Sequence, residues 1–300
     1  MIRRLAGAVL ATAAGGTVLT AAGTAQAAAP AAPSVPAAPA PPAAPAAAAV
    51  DFTGTVALSN CSGSLVRGPR SRDGDKALVL TNGHCLETGM PAAGEVIADR
   101  PSTRSFTLLD PTGRRALGTL GAIRIEYATM TDTDVALYRL GSTYAQIRAK
   151  YGIGALRLSM ARPRTGEQIR VVSGYWKRIY SCKIDGFAYR MREAGWTWKD
   201  SIRYTPECAT IGGTSGSPIV DARTRQVVGV NNTGNEDGGR CTLNNPCEVA
   251  RDGRVTVRKG INYGQQTYLL ARCLGPGNDV VLGGTCALPR PSAYPRRPSA

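Results

Sequence analysis

Between residues 50 and 275 the chain is a succession of short apolar runs cut by turn residues, and no other feature limits its fold so strongly. The runs read "TGTVALS", "CSGSLVRG", "KALVLTN", "RSFTLLD", "AIRIEY", "DVALYRL", "EQIRVVSG", "GSPIVD" and "QVVGVNN". They are rich in Val, Ile and Leu, bounded by Gly, Pro, Asp and Asn, and of strand length. An all-β barrel or sandwich follows. Two segments read as helices instead, "YAQIRAKYG" at 144–152 and "YGQQTYLLARC" at 263–273, each ended by Gly or by a following Gly-Pro. The stretch from 141 to 155 lacks strand pattern and would connect two strand-rich halves, each about the size of a small domain. A cleft between two such halves is a natural place for a site.

The ends read differently. "MIRR" is a positive n-region, residues 5–22 form an apolar run, and Ala25-Gln26-Ala27 is a small-x-small cleavage site, so residues 1–27 are expected to be a signal peptide and the protein to be secreted, from a bacterium. Residues 28–49 are almost wholly Ala and Pro, an extended linker or short pro-segment. The Pro- and Arg-rich tail, 289–300, has a disordered composition. Residues 50–288 remain as the folded body. No cysteine precedes Cys61 to take a lipid, and no later window is apolar enough to span a membrane.

Composition then excludes several function classes. The eight cysteines, Cys61, Cys85, Cys182, Cys208, Cys241, Cys247, Cys273 and Cys286, all lie in the body, and an even number in an exported chain reads as four disulfides. His84 is the only histidine and no C-x-x-C pair occurs, so no zinc site of the usual kind can be built. The loop 234–252 carries Asn, Asp and Glu without the spacing of a calcium hand. No metal or cofactor is expected. The net charge of +15 favours anionic surfaces or acidic substrates, but the positive residues are scattered and no nucleic-acid motif appears, so nucleic acid is not an expected partner.

Residues 209–220, "ATIGGTSGSPIV", hold two serines in a glycine-rich turn. A serine hydroxyl becomes a nucleophile only beside a base, with a third group to orient that base and donors for the oxyanion. The single imidazole, His84, follows a buried-strand signal in "LVLTNGHC". Asp134 leads into the strand of "TDTDVALYRL", where its carboxylate can meet an imidazole N–H, whereas Asp132 reads as a turn residue. Ser215 sits between Gly213 and Gly216, and the N–H groups of Gly213 and Ser215 can converge as an oxyanion hole. A phosphate loop would need a Lys after the glycines, which is missing. The order His, Asp, Ser excludes an α/β-hydrolase, in which histidine comes last. Asp51 would begin a subtilisin-type order, but the long alternating helices of that fold are absent from the pattern.

"TNGHC" resembles T-A-A-H-C, "DVAL" resembles D-I-A-L, and "GTSGSP" resembles G-D-S-G-G-P, the three motifs of the chymotrypsin-like (trypsin-like) serine proteases. The resemblance spans about residues 52–273. It implies two antiparallel six-stranded β-barrels with a C-terminal helix: a first barrel at about 50–140, a second at about 155–262 and the helix at about 263–273. It further implies a serine endopeptidase with His84, Asp134 and Ser215 as catalytic triad and protein or peptide substrates; a monomer is expected. Thr214 stands where the animal branch has an Asp that pairs with a freed N-terminus, and no Arg-Ile-Val-Gly-Gly site occurs near residue 50. The chain is thus similar to the bacterial, glutamyl-endopeptidase-like branch.

By the same resemblance Ala209 lies at the base of the primary pocket beside Thr210, and Asn231 stands where the glutamyl enzymes carry a substrate-reading histidine. A small or uncharged residue before the cut is expected; cleavage after Glu would need another route, hydrogen bonds from Thr210 and Asn231. The backbone from Val230 through Asn231 and Asn232 to Thr233 is expected to clamp an extended peptide as an added strand. The family clamps its histidine loop with a bridge, which implies Cys61–Cys85. Cys241–Cys247 and Cys273–Cys286 then suit local closures, leaving Cys182–Cys208; a Cys208–Cys241 link stays open as the alternative. Activity should fall as His84 protonates, with an apparent pKa of about 7 or somewhat lower. Two rival readings remain: a catalytically weak or inactive module that binds an anionic surface or cell-wall polymer, and an esterase on the same triad.

Overall fold

The structure, a computed structural model, describes residues 49–292. The expected signal peptide, all of the Ala/Pro segment but its last residue, and the tail beyond 292 lie outside the described residues.

Seven strands form the first half: β1 (Thr55–Ala57), β2 (Ser62–Arg67), β3 (Lys76–Thr81), β4 (Val96–Pro101), β5 (Ser105–Leu109), β6 (Ala116–Thr129) and β7 (Val135–Thr143). Antiparallel pairing runs β1-β5-β6-β7-β3-β2 and returns to β1, closing a six-stranded barrel, while β4 pairs on the outside of β6. Helix α1 (Tyr144–Tyr151) follows, its Thr143 cap and Gln146 forming a reciprocal capping box, and it ends at Gly152 as its sequence suggested. A short strand, β8 (Leu156–Arg157), pairs with β2.

The second half contains β9 (Gln168–Ser173), β10 (Arg178–Glu193), β11 (Trp196–Tyr204), β12 (Pro218–Asp221), β13 (Val227–Gly234), β14 (Cys247–Val249), β15 (Val255–Val257) and β16 (Asn262–Gln266). Its pairing runs β11-β16-β13-β12-β9-β10, and β10 pairs back onto β11, so this ring closes as well. The fold is therefore the expected all-β, two-barrel, chymotrypsin-like architecture.

One expected element is shorter than its sequence suggested. Helix α2 covers only Tyr268–Cys273, because residues 262–266 are β16, buried at every position and paired with β13 and β11. The ladder that closes the second barrel takes the residues that would have been the helix's first turns.

The strands nearest the site are apolar throughout because both of their faces are covered. In β3, Ala77 and Val79 point into the first barrel's core, while Leu78 and Leu80 join a layer between the barrels with Leu137, Val172, Val220, Val227 and Leu270. Along β7, Ala136, Tyr138 and Leu140 face one way and Val135 and Leu137 the other. Period-2 alternation thus builds two cores from one run and seats α2 against the shared layer. Four disulfides join Cys61–Cys85, Cys182–Cys208, Cys241–Cys247 and Cys273–Cys286, and the alternative Cys208–Cys241 link is not formed.

Candidate active site

β3 ends at Thr81 and passes into a single 3₁₀ turn, Gly83–Cys85, that carries His84. Cys85 is bonded to Cys61 at the mouth of β2. Behind the turn lies Arg104, only 2% exposed, whose guanidinium donates to the Cys85 carbonyl, to Asn60 Oδ1 at 2.8 Å and to the Tyr138 hydroxyl at 3.1 Å. A buried cation with its donors taken up by fixed acceptors holds the backbone beside the imidazole.

Asp134, just before β7, is fully buried. Its Oδ2 lies 2.7 Å from His84 Nδ1, its Oδ1 accepts the His84 backbone N–H at 3.1 Å, and its own carbonyl accepts from Asn82 Nδ2 at 2.8 Å. With Nδ1 held against a carboxylate, the neutral ring carries its proton there and leaves Nε2 with its lone pair. Burial pulls the His84 pKa down, but the charge and hydrogen bond of Asp134, with a further contribution from Glu193, outweigh it, and the net displacement is upward from 6.5. Asp132 is the turn residue: at φ +60 it pairs through its carboxylate with Lys199 Nζ at 2.6 Å, stitching β11 onto the first barrel.

Ser215 lies in the turn before β12. Gly216, at φ +80, is pressed so closely on the first barrel that a Cβ there would stand 2.1 Å from the Ser62 carbonyl and from Thr81 Oγ1. No side chain fits, and the close approach brings the second barrel's serine against the strand ends that carry His84. The contact is sealed by Ser62 N–H donating to the Ser215 carbonyl at 2.8 Å, while within the second barrel Gly216 N–H donates to the Asn231 carbonyl at 2.9 Å. Among the described residues the N–H groups of Gly213 and Ser215 donate to no other group. Both remain free for an incoming oxygen.

His84 and Ser215 line one cleft that is open to solvent. In this state the Ser215 hydroxyl donates to the Asn232 carbonyl at 3.1 Å rather than to His84. Asn232 is itself buried, and neither its Oδ1 nor its Nδ2 has a partner.

The specificity residues divide. Thr210 and Asn231 line the cleft. Their oxygens belong to one uncharged network: Thr210 donates to Asn262 Oδ1 at 2.9 Å, the Tyr204 hydroxyl donates to Asn231 Oδ1 at 3.1 Å, and Asn262 Nδ2 donates to the Cys208 carbonyl at 3.1 Å. Ala209, expected at the pocket base, is exposed and does not line the cleft. Its neighbour Cys208 is turned into the core by its disulfide, and Asn262 from β16 occupies the floor instead.

The strand edge expected to clamp a peptide is shorter than its sequence suggested. Val230 is paired on both sides, with Pro218 of β12 and Gln265 of β16, and its side chain is core. The register slips between Asn231 and Thr233, and beyond the slip β13 is paired only to β16. The free edge is therefore Asn232 to Gly234.

Residues that motif reading missed come from the β10–β11 hairpin, whose tip arches over the cleft. Trp196 Nε1 donates to the Pro91 carbonyl at 2.9 Å, tying that tip to the loop after His84. Glu193, Trp196 and Trp198 line the cleft with Met90 and Met130. Glu193 Oε1 accepts the Asn244 N–H at 2.8 Å, and burial pushes its carboxyl up against the opposing influence of nearby Thr233 and Asn244. The clue in the sequence is strict alternation from Tyr180 to Ala188, a half-buried strand without a continuous apolar run.

The family described as a trypsin-like peptidase domain matches residues 61–230. No curated protein matches the chain. Among solved structures it is similar to the MamO protease domain from Magnetospirillum magneticum, at 14% identity over 75% of this chain and 98% of that one, with a TM-score of 0.47. It is also similar to the active form of the Rv3671c protease from M. tuberculosis, at 15% identity over 85% and 99%, TM-score 0.46. A Glu endopeptidase is similar at 16% identity over 74% and 89%, TM-score 0.41.

Proposed function

This chain belongs to the trypsin-like peptidase domain family, and on that premise we propose that it is a secreted serine endopeptidase that cuts peptide bonds through an acyl-enzyme. One observation carries the reading: His84 Nδ1 is held 2.7 Å from the buried Asp134 carboxylate, and Ser215 lines the same cleft beside two unused amide donors.

In the proposed mechanism Ser215 rotates about its Cα–Cβ bond from the Asn232 carbonyl to His84 Nε2, a change between staggered rotamers. Its oxygen attacks the scissile carbonyl carbon while Nε2 takes the hydroxyl proton. The carbonyl oxygen, now an anion, is received by the Gly213 and Ser215 amides. Nε2 then returns the proton to the leaving nitrogen as the C–N bond breaks, and a water repeats the sequence to free the acid. Asp134 holds the ring and stabilises the imidazolium without taking its proton.

The substrate backbone would add along Asn232–Gly234, and the floor of Thr210, Asn231 and Asn262 suits an uncharged side chain before the cut. Cleavage after Glu by hydrogen bonds alone would use the Nδ2 donors of Asn231. We read residues 50–288 as the peptidase domain and place it outside the cell, in keeping with four disulfides; among the described residues no helix is long and apolar enough to cross a membrane.

The turned-away Ser215 hydroxyl, with the net charge of +15, favours the rival reading of a silent, surface-binding module. A fluorophosphonate probe decides. It should label wild-type protein at Ser215, leave Ser215→Ala unlabelled, and lose its target in step with casein turnover. Labelling that persists in Ser215→Ala, or purified protein that cuts neither peptide nor ester, would remove the assignment.

A further inference from the structure

The turn just before Ser215 has a backbone geometry with a near-equivalent alternative, and one side chain outside it is bonded to its central peptide. Ile211–Thr214 is closed by the Thr214 N–H donating to the Ile211 carbonyl at 3.0 Å, and Gly213 is its third residue at φ +83, which makes it a type II turn. Type I differs chiefly by rotation of the central peptide, here Gly212–Gly213. That peptide is trans, so the Gly212 carbonyl and the Gly213 N–H point in opposite directions. Turning it over would put an oxygen where the substrate's oxyanion must sit. Glycine at both central positions removes the steric penalty that would otherwise choose one state.

The choice is made from outside the turn. Trp176, in the loop after β9, donates its indole N–H to the Gly212 carbonyl at 2.6 Å. Its ring meets Tyr175 edge-on at 5.0 Å, and Tyr175 lies against Gly213 so closely that a Cβ there would be 2.8 Å away. The loop is anchored in turn: Trp176 N–H donates to Ser173 Oγ, Tyr175 N–H donates to Ser62 Oγ, and Ser62 Oγ donates to the Gly213 carbonyl. Yet Trp176 is 48% exposed. Burial does not explain an exposed tryptophan whose polar atom is spent on one catalytic-loop carbonyl; orientation does.

We infer, resting on the triad reading above, that Trp176 is a positioning residue: its indole N–H holds the Gly212–Gly213 peptide with the carbonyl outward and so keeps the Gly213 donor in the oxyanion hole. Trp176→Phe keeps the ring and removes the N–H. Because the side chain is half exposed, the variant should fold with an unchanged melting temperature. Its kcat on a peptide amide should fall about tenfold, the order of one lost hydrogen bond, with KM close to wild type. Affinity for a peptide boronic acid, which forms a tetrahedral adduct on Ser215, should fall by the same factor. Affinity of an uncut peptide for the Ser215→Ala and Ser215→Ala/Trp176→Phe proteins should be equal, since ground-state binding does not use the hole.

Wild-type kcat and boronate affinity in Trp176→Phe would overturn the inference and leave the triad standing. So would a fall in kcat with boronate affinity retained, or an equal weakening of uncut peptide. Wild-type protein that neither turns over peptide nor takes a fluorophosphonate at Ser215 would instead sink the reading on which the inference rests.

Discussion

The two halves of the cleft are built to different tolerances. On the first barrel, His84 is held by a disulfide at the next residue, by Arg104 behind it and by two contacts to a fully buried carboxylate. On the second barrel, Ser215 rides in a glycine-rich turn, with its hydroxyl on a backbone carbonyl and its oxyanion peptide oriented by a single indole. The His84–Asp134 contact is already made in this state, whereas the proposed mechanism asks one side-chain rotation of Ser215. The difference follows from chemistry: an imidazole must keep one tautomer, which demands a rigid carboxylate, while a hydroxyl has only to swing between two acceptors.

The sharpest way to break this contrast is to loosen the rigid half. Asp134→Asn should lower kcat by about 10⁴ with little change in KM, because an amide in place of the carboxylate no longer selects the working tautomer; steady-state kinetics on a peptide amide would check it. A loss below tenfold would mean that the pair does not act as proposed.

Next in size is a substitution that separates the halves. Gly216→Ala sets a methyl against the Ser62 carbonyl and Thr81 Oγ1 in a positive-φ conformation. It should cost about 3 kcal/mol of stability, read by chemical denaturation, and should reduce Ser215 labelling even where the protein remains folded.

The smallest effect concerns proton balance. His84 titrates above 6.5, and catalysis needs the neutral ring, so activity should rise with pH through the folded-state pKa. The stability contributed by the His84–Asp134 pair has the opposite sign: it is present in full below the unfolded value of 6.5 and is lost as pH climbs through the raised folded value. Glu193→Gln removes one of the upward influences and should move the acid limb of the rate profile to lower pH by a few tenths of a unit, roughly the scale of a screened charge. An unmoved limb would show that Glu193 carries no charge felt by the imidazole.

Much of this was legible in the chain. The runs around Val79, Tyr138 and Val171 read as strands because both faces of each are buried, and a strand of that kind leaves a continuous apolar signature. His84, Asp134 and Ser215 can be proposed from the chain alone because the chemistry demands those residue types in a restricted order, and the structure places His84 and Ser215 on one cleft with Asp134 against the imidazole. The hairpin 178–204 was overlooked, since its alternation mixes Tyr180 and Ile184 with charged residues facing solvent. Residues 263–266 read as helix because the run Tyr-Gly-Gln-Gln has no β-rich composition; the ladders from β13 and β11 impose its conformation.

By itself the sequence determined the two-barrel class, the even set of cysteines, and which side chains could serve as base, orienting acid and nucleophile, because residue type and local period are properties of the chain. Only the tertiary structure decided that Asn262 rather than Ala209 lines the cleft, that the unpaired edge of β13 begins past Val230, and that Trp176 reaches Gly212. Those depend on which strand edges remain unpaired and which loops meet. Contacts between residues tens of positions apart are set by barrel closure and packing, and no short window of sequence records them.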